Sequence, residues 1–185
     1  MGSVDRREGI FFEEKKEEGK PLIFLMVILG IDPGIAKLGY AVISREGEVF
    51  SIIDSGVFTT PPTLTTTLRL ATIADHLTKL CERVRPDRII LERLIPGPHR
   101  NLGKVAEVRG VVLLIAGQRD IPVEEVFPTA LKLSTTRTGA ATKMQMRRTV
   151  QRLLGLPKLP PPDTADALAL ALLGSTRDIK PFGAV

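Results

Sequence analysis

Four acidic residues stand where the sequence makes a carboxylate hard to keep. Asp32 ends the apolar run of residues 27–34, VILGIDPG, and Glu92 closes a second run, RIILE. Asp163 and Asp166 lead into residues 165–173, ADALALALL, which are nearly all apolar. Each acid has an ordinary explanation. Asp-Pro-Gly is common turn chemistry, and aspartates at the start of a helix cap it and suit its dipole. The spacing carries the argument further. Asp163 and Asp166, three residues apart, project on one side of a first helical turn. Burial of the apolar helix draws Asp166 inward, where a carboxylate needs a cation or strong hydrogen bonds. Four carboxylates converging without a matching set of arginines repel one another, and divalent metal ions remove that repulsion. Hard Mg2+ or Mn2+ suits such oxygen donors, and no Cys/His cluster points to zinc.

The elements that must position these acids follow from hydrophobic spacing. Residues 27–34 read as a central strand covered on both faces, too short to span a membrane. Residues 38–44 and 48–54 read as two more strands, joined by the tight Arg45-Glu46-Gly47 turn into an antiparallel meander. Pro61-Pro62 breaks the chain and Thr63 is the candidate helix N-cap. Leu64, Leu68, Ala71, Ala74, Leu77, Cys81 and Val84 then recur at helical spacing. Pro86 ends that helix, and residues 88–92 form a fourth strand. A strand, helix and strand in succession close a right-handed crossover with the strands parallel. Asp32 and Glu92 are therefore expected side by side at the carboxyl edge of the sheet, where ligands gather.

Beyond residue 100 the spacing predicts a helix over 101–118, a fifth strand over 121–126, and a short helix opened by Pro128. Further helices follow over 142–154, capped by Gly155, and over 163–173. The first of these is apolar all round in residues 111–116. Such a helix either packs tightly on the sheet or buries its outer face against a second subunit. A charge at Val108 or Leu114 is then expected to give monomers where that residue faces the partner. The expected fold class is α/β: a five-stranded mixed sheet, a three-strand antiparallel meander plus parallel strands, flanked by helices. Residues 26–174 form the expected domain, with 1–25 a tail or extension and 175–185 a loose C-terminal tail.

A chain of 185 residues, 43% hydrophobic and 25% charged, suits one domain with a core of its own. The single cysteine, Cys81, excludes an internal disulfide framework, and no secretory signal is legible before Pro21, so a cytoplasmic setting is expected. The net charge of +5 is uneven. Residues 127–162 hold Lys132, Arg137, Lys143, Arg147, Arg148, Arg152 and Lys158 and no acid. A block of this kind is either a solvated helix face or a phosphate-binding surface, and charge alone does not choose.

From about residue 26 to residue 173 the chain resembles the RuvC Holliday-junction resolvases of the RNase H-like (retroviral integrase) superfamily. The resemblance rests on GIDPG with Asp32, IILERL with Glu92, and PPPDTADALALAL with Asp163 and Asp166. A loose match over residues 139–149 includes Lys143, and VAEVRGV at 105–111 looks like the family's dimer helix. The resemblance implies an RNase H-like fold and two metal ions, about 4 Å apart, held by Asp32, Glu92, Asp163 and Asp166, with Asp32 bridging them. It places Lys143 near the scissile phosphate and implies a homodimer that nicks four-way DNA junctions symmetrically. A branch-migration motor complex is a candidate partner, and no membrane is involved. There is one departure. Family members often carry a base-stacking aromatic just after the strand-four glutamate, whereas Arg93-Leu94-Ile95 stands here and no Phe, Tyr or Trp occurs between Phe58 and Phe127.

The expected function is thus a Mg2+-dependent endonuclease that resolves four-way DNA junctions, binding phosphates through Lys132, Arg137, Lys143, Arg147 and Arg148. Two rivals use the same residues. A same-fold nuclease acting on RNA keeps the acids without the symmetric junction-binding dimer. A non-catalytic nucleic-acid-binding protein keeps the basic surface and lets the acids drift, and the presence of all four argues against it.

Overall fold

The computed structural model describes residues 25–95 and 102–176. The sequence expectations for 1–24, 96–101 and 177–185 lie outside the described residues. Strands β1 (Leu25–Asp32), β2 (Lys37–Glu46) and β3 (Val49–Thr59) form the antiparallel meander. Helix α1 (Thr66–Val84) carries the chain to β4 (Arg88–Glu92), which pairs parallel with β1 in register Ile31 to Leu91. Helix α2 (Leu102–Gln118) leads to β5 (Val123–Val126), parallel to β4 in register Glu92 to Val126. The five-stranded sheet has the order β3-β2-β1-β4-β5, and this mixed architecture is the expected one. Helices α3 (Pro128–Thr136), α4 (Lys143–Leu153) and α5 (Pro162–Thr176) complete the chain. Among the described residues no helix is long and apolar enough to cross a membrane.

β2 takes in Arg45 and Glu46, so the turn follows them, β5 begins only at Val123, and Leu154 rather than Gly155 caps α4. Three further boundaries differ for a clear local reason. β3 runs to Thr59 rather than stopping at Asp54, because a register shift at Val42/Ile43 lets pairing with β2 continue as far as Lys37 and Thr59. Thr65, not Thr63, caps α1: its hydroxyl accepts from the backbone N–H of Leu68. α5 extends to Thr176, two residues into the segment read as a tail. There Ser175 is buried and its carbonyl accepts from the Arg45 guanidinium.

Alternation along the strands sends side chains to two layers. Leu29, Ile31, Ile89 and Leu91 pack with Ile73, Leu77 and Leu80 of α1 and Val108, Val112 and Ile115 of α2. Cys81 is buried in this layer. Ile28 and Ile90 face the other way, onto Ala167, Leu168, Leu170 and Ala171 of α5, with Met146 and Val150 of α4 behind. The α5 backbone lies directly on the sheet: a Cβ at Gly30 would stand 2.2 Å from the carbonyl oxygen of Ala167. Glycine at that position is what admits the helix, and the helix carries two of the four acids.

Candidate active site at the carboxyl edge of the sheet

The period of two that directs Ile28 and Gly30 toward α5 also directs Asp32 there, and Ile90 does the same for Glu92. Asp32 is the last residue of β1 and Glu92 the last of β4, so the parallel register puts them together at one edge. α5 enters over that edge from its N-terminus. Gly39, the β2 partner of Asp32, lets the helix start approach: a Cβ there would stand 2.2 Å from the Asp163 carbonyl oxygen and 3.3 Å from the Asp32 Cβ. Asp163 lies in the first turn of α5 and Asp166 follows one turn later. Asp32, Glu92, Asp163 and Asp166 are all partly buried, and the structure brings them to the same place.

The acids feel one another. The Asp32 carboxyl is pushed up from its ordinary range to about 7, first by burial and then by the negative charges of Asp166, Glu92 and Asp163, with Lys143 opposing. Burial raises Glu92 as well, reinforced by Asp166 and opposed by Lys132, Lys143 and Arg109. Asp166 is raised by burial, with Lys143 and Lys132 opposing and Asp163 reinforcing. One edge thus carries four acids, and Asp32, Glu92 and Asp166 among them are raised by burial and by neighbouring negative charge, with two lysines opposing. The donors are all hard oxygens, the chemistry that suits a Mg2+-class ion. Among the described residues, though, no three His, Cys, Asp or Glu side chains close round a common point tightly enough to hold one ion. The set fits a hard divalent cation in donor type and charge, and holding one requires these side chains to turn toward it.

The basic residues do not form one uniform face. Lys143, the first residue of α4, and Lys132 of α3 are the two whose charge reaches the acids. A reciprocal capping box between Thr142 and Gln145 fixes the start of α4, and so the position of Lys143. Arg147 serves the fold: its Nε donates to the Pro160 carbonyl at 2.7 Å and ties down the proline-rich approach to α5. Arg137 closes α3 in a left-handed conformation, and its side chain lines a cleft of about 430 Å³ with Ser134, Thr136, Thr149 and Arg152. Arg148 is exposed on α4.

Two features at this edge were not foreseen from the sequence. Arg109 of α2 is buried; its guanidinium donates to the backbone carbonyl of Glu92 and pairs with the Glu125 carboxylate, so it fixes the ends of β4 and β5. The second is the Arg93 guanidinium, which lies 4.5 Å from the centroid of the Phe127 ring. No local signal joins residues 34 positions apart; only the β4–β5 register brings them together.

Comparison with known proteins agrees with this geometry. The family model described as crossover junction endodeoxyribonuclease RuvC matches residues 28–174. The protein of that description from Thermomicrobium roseum is 44% identical over 151 residues, spanning 80% of this chain and 91% of the relative. That from Chloroflexus aggregans is 42% identical over 149 residues, with the same two coverages. Among solved structures, Thermus thermophilus RuvC in complex with Holliday junction substrate matches with a TM-score of 0.74 at 31% identity, covering 81% of this chain and 97% of that one. The match spans residues 28–174, and the chain belongs to the RuvC family of crossover junction endodeoxyribonucleases.

Proposed function

We propose that this chain is a metal-dependent endonuclease that cuts four-way DNA junctions, with Asp32, Glu92, Asp163 and Asp166 as its metal-holding residues. The observation that carries the reading is the gathering of four acids at the carboxyl edge of β1 and β4, with Asp32 raised by burial and by the charges of the other three, in a chain of this family. Mg2+ is the ion that fits best, with Mn2+ able to replace it. Two such ions, when bound, supply Lewis-acid activation of an attacking water and charge neutralisation at the leaving oxygen of an in-line displacement. The protein's own residues do the rest. Asp32, which feels the charges of Asp166, Glu92 and Asp163, would hold metal together with those three residues. Glu92 is held by the Arg109 clamp on its backbone carbonyl. Lys143 stands at the positive end of the α4 dipole, where its charge counters the acids and faces the phosphate that develops negative charge. Lys132, Arg137 and Arg148 hold flanking phosphates; Arg147 contributes chiefly by keeping the approach to α5 in place.

The working unit is proposed as a cytoplasmic homodimer. Its two sites leave symmetric nicks with ligatable 5′-phosphate ends. Support comes from α2, which buries Val108, Val112 and Ile115 on its own sheet while Leu113 and Leu114 remain 42% and 61% exposed. Gly103, Gly110 and Gly117, seven residues apart, open onto empty space on the side that Leu114 shares. That stripe of glycines and Leu114, with exposed Glu107 among them, suits a second copy of the same helix.

The test is single-turnover cleavage of a mobile four-way junction by the protein and by Asp166→Asn. Asp166→Asn is expected to lose cleavage while still binding the junction, and to bind it at least as tightly, since one charge facing the phosphates is gone. Undiminished cleavage by this variant would refute the site assignment.

A further inference from the structure

Helix α5 carries two of the four acids in its first turns, and its far end is held by side chains of the sheet. The last turn of a helix leaves carbonyls without intrahelical partners. Here each carbonyl from Leu172 to Ser175 accepts from a side chain. The Ser175 and Thr176 hydroxyls donate to Leu172 and Leu173. The Arg88 guanidinium donates to Gly174 at 3.3 Å, and that of Arg45 to Ser175. Strand alternation explains why these two arginines reach the helix. Arg45 shares the face of Ala41 and Ile43 on β2, and Arg88 shares the face of Ile90 and Glu92 on β4. They flank β1 from either side, since Arg45 pairs with Met26 and Arg88 with Ile28. Two guanidiniums at one helix end are tolerated because its carbonyls carry the negative pole of the dipole. Arg45 is fixed further by the Gly47 carbonyl at 2.7 Å, the Glu48 carboxylate at 3.3 Å and the Phe50 ring, 5.7 Å from its centroid. A Cβ at Gly174 would stand 2.3 Å from Ile90 Cγ1, so the same end also sits closely on the sheet.

We propose that Arg45 and Arg88 are positioning residues for the metal site at the opposite end of α5. The inference rests on the metal-holding reading above and extends it to two residues at the far edge of the sheet. A helix is stiff along its axis, rising about 1.5 Å per residue, so a slip at Gly174 is transmitted to Asp166 about 12 Å away. β4 joins the two ends directly. Its first residue, Arg88, grips Gly174, and its last, Glu92, stands among the acids. With either guanidinium removed, the acids keep their identity but lose the fixed spacing between α5 and the strand ends. A divalent cation needs several oxygens at set distances at once, so the loss falls on its affinity.

Arg45→Ala and Arg88→Ala test this. Beside them stand Arg45→Lys, which keeps a cationic donor at the helix end, and Ile73→Val, which loosens the core layer on the other face of the sheet. Binding of Mn2+ alone, without DNA, is followed by the electron paramagnetic resonance signal of the free ion, at a temperature where circular dichroism shows each protein folded. The expected result is a Kd for Mn2+ raised about tenfold in each alanine variant, a smaller rise in Arg45→Lys, and the parent's value in Ile73→Val. Single-turnover junction cleavage by the alanine variants should fall at limiting Mn2+ and return to the parent's rate at saturation. The proposal is overturned if the alanine variants keep the parent's Mn2+ affinity, or if Ile73→Val weakens it as much as they do. A parent protein that binds no Mn2+ would instead overturn the metal-holding reading itself.

Discussion

Asp32 shows how much of the chemistry resides in single residues. Its carboxyl is raised to about 7 where an exposed aspartate titrates near 3.8. Between those values the folded chain keeps a proton that the unfolded chain has already released. The unfolded state binds fewer protons, so this group makes the fold less stable as pH rises from about 4, and the loss is complete above about 7. The raised Glu92 and Asp166 act in the same direction. A divalent cation at the site relieves the repulsion and binds best when the carboxyls are ionised. Millimolar Mg2+ should therefore raise the thermal midpoint more at pH 8 than at pH 5, and Asp32→Asn should abolish most of that difference. Equal Mg2+ shifts at both pH values, kept in Asp32→Asn, would show that the acids do not share a cation. All four acids were legible in the sequence because each interrupts or borders an apolar run. The tie from Arg147 to the Pro160 carbonyl was not legible, since the two lie thirteen positions apart and carry no sequence signature.

At the scale of elements, the site depends on how closely α5 approaches the sheet. The parallel pairing of β1 with β4 was legible from a strand, a helix and a strand in succession, and it is what joins Asp32 to Glu92. The period of two along each strand then fixes which face they share. What could not be read was the role of Gly30 and Gly39, which appear as unremarkable small residues inside strands until the helix backbone is seen against them. The length of β3 was also hidden, because the register shift that carries its pairing on to Thr59 has no mark in the sequence. Gly39→Ala puts a methyl group against the Asp163 carbonyl and close to Asp32, so the start of α5 must move outward. The expected cost is about 1–3 kcal/mol of stability, together with a loss of cleavage under conditions where the variant is still fully folded. Denaturant unfolding and single-turnover cleavage on the same preparation separate the two effects. Cleavage unimpaired in a folded Gly39→Ala protein would mean that the position of Asp163 is not critical.

At the scale of the whole molecule, α2 is where the proposed dimer would meet the site. One side supplies the core and, through Arg109, holds the end of β4; another exposes Leu113 and Leu114 beside a glycine stripe. The all-round apolar character was visible in the sequence, but which residue faces which way was not. Val108 is fully buried in the protein's own core, so a charge there breaks the fold instead of a dimer. Leu114 is the outward position. Leu114→Glu is expected to sediment as a folded monomer where the parent sediments as a dimer at micromolar concentration; a monomeric parent would contradict the dimer. The account as a whole turns on what the assembled site cuts. The direct measurement is Mg2+-dependent cleavage of a mobile four-way junction, assayed beside the corresponding duplex and a structured RNA at equal concentration. The expected result is paired nicks at symmetric positions in the junction, leaving 5′-phosphates that ligase can seal, with duplex and RNA intact. Cleavage of the RNA in preference to the junction, or no metal-dependent cleavage of any of the three, would contradict it.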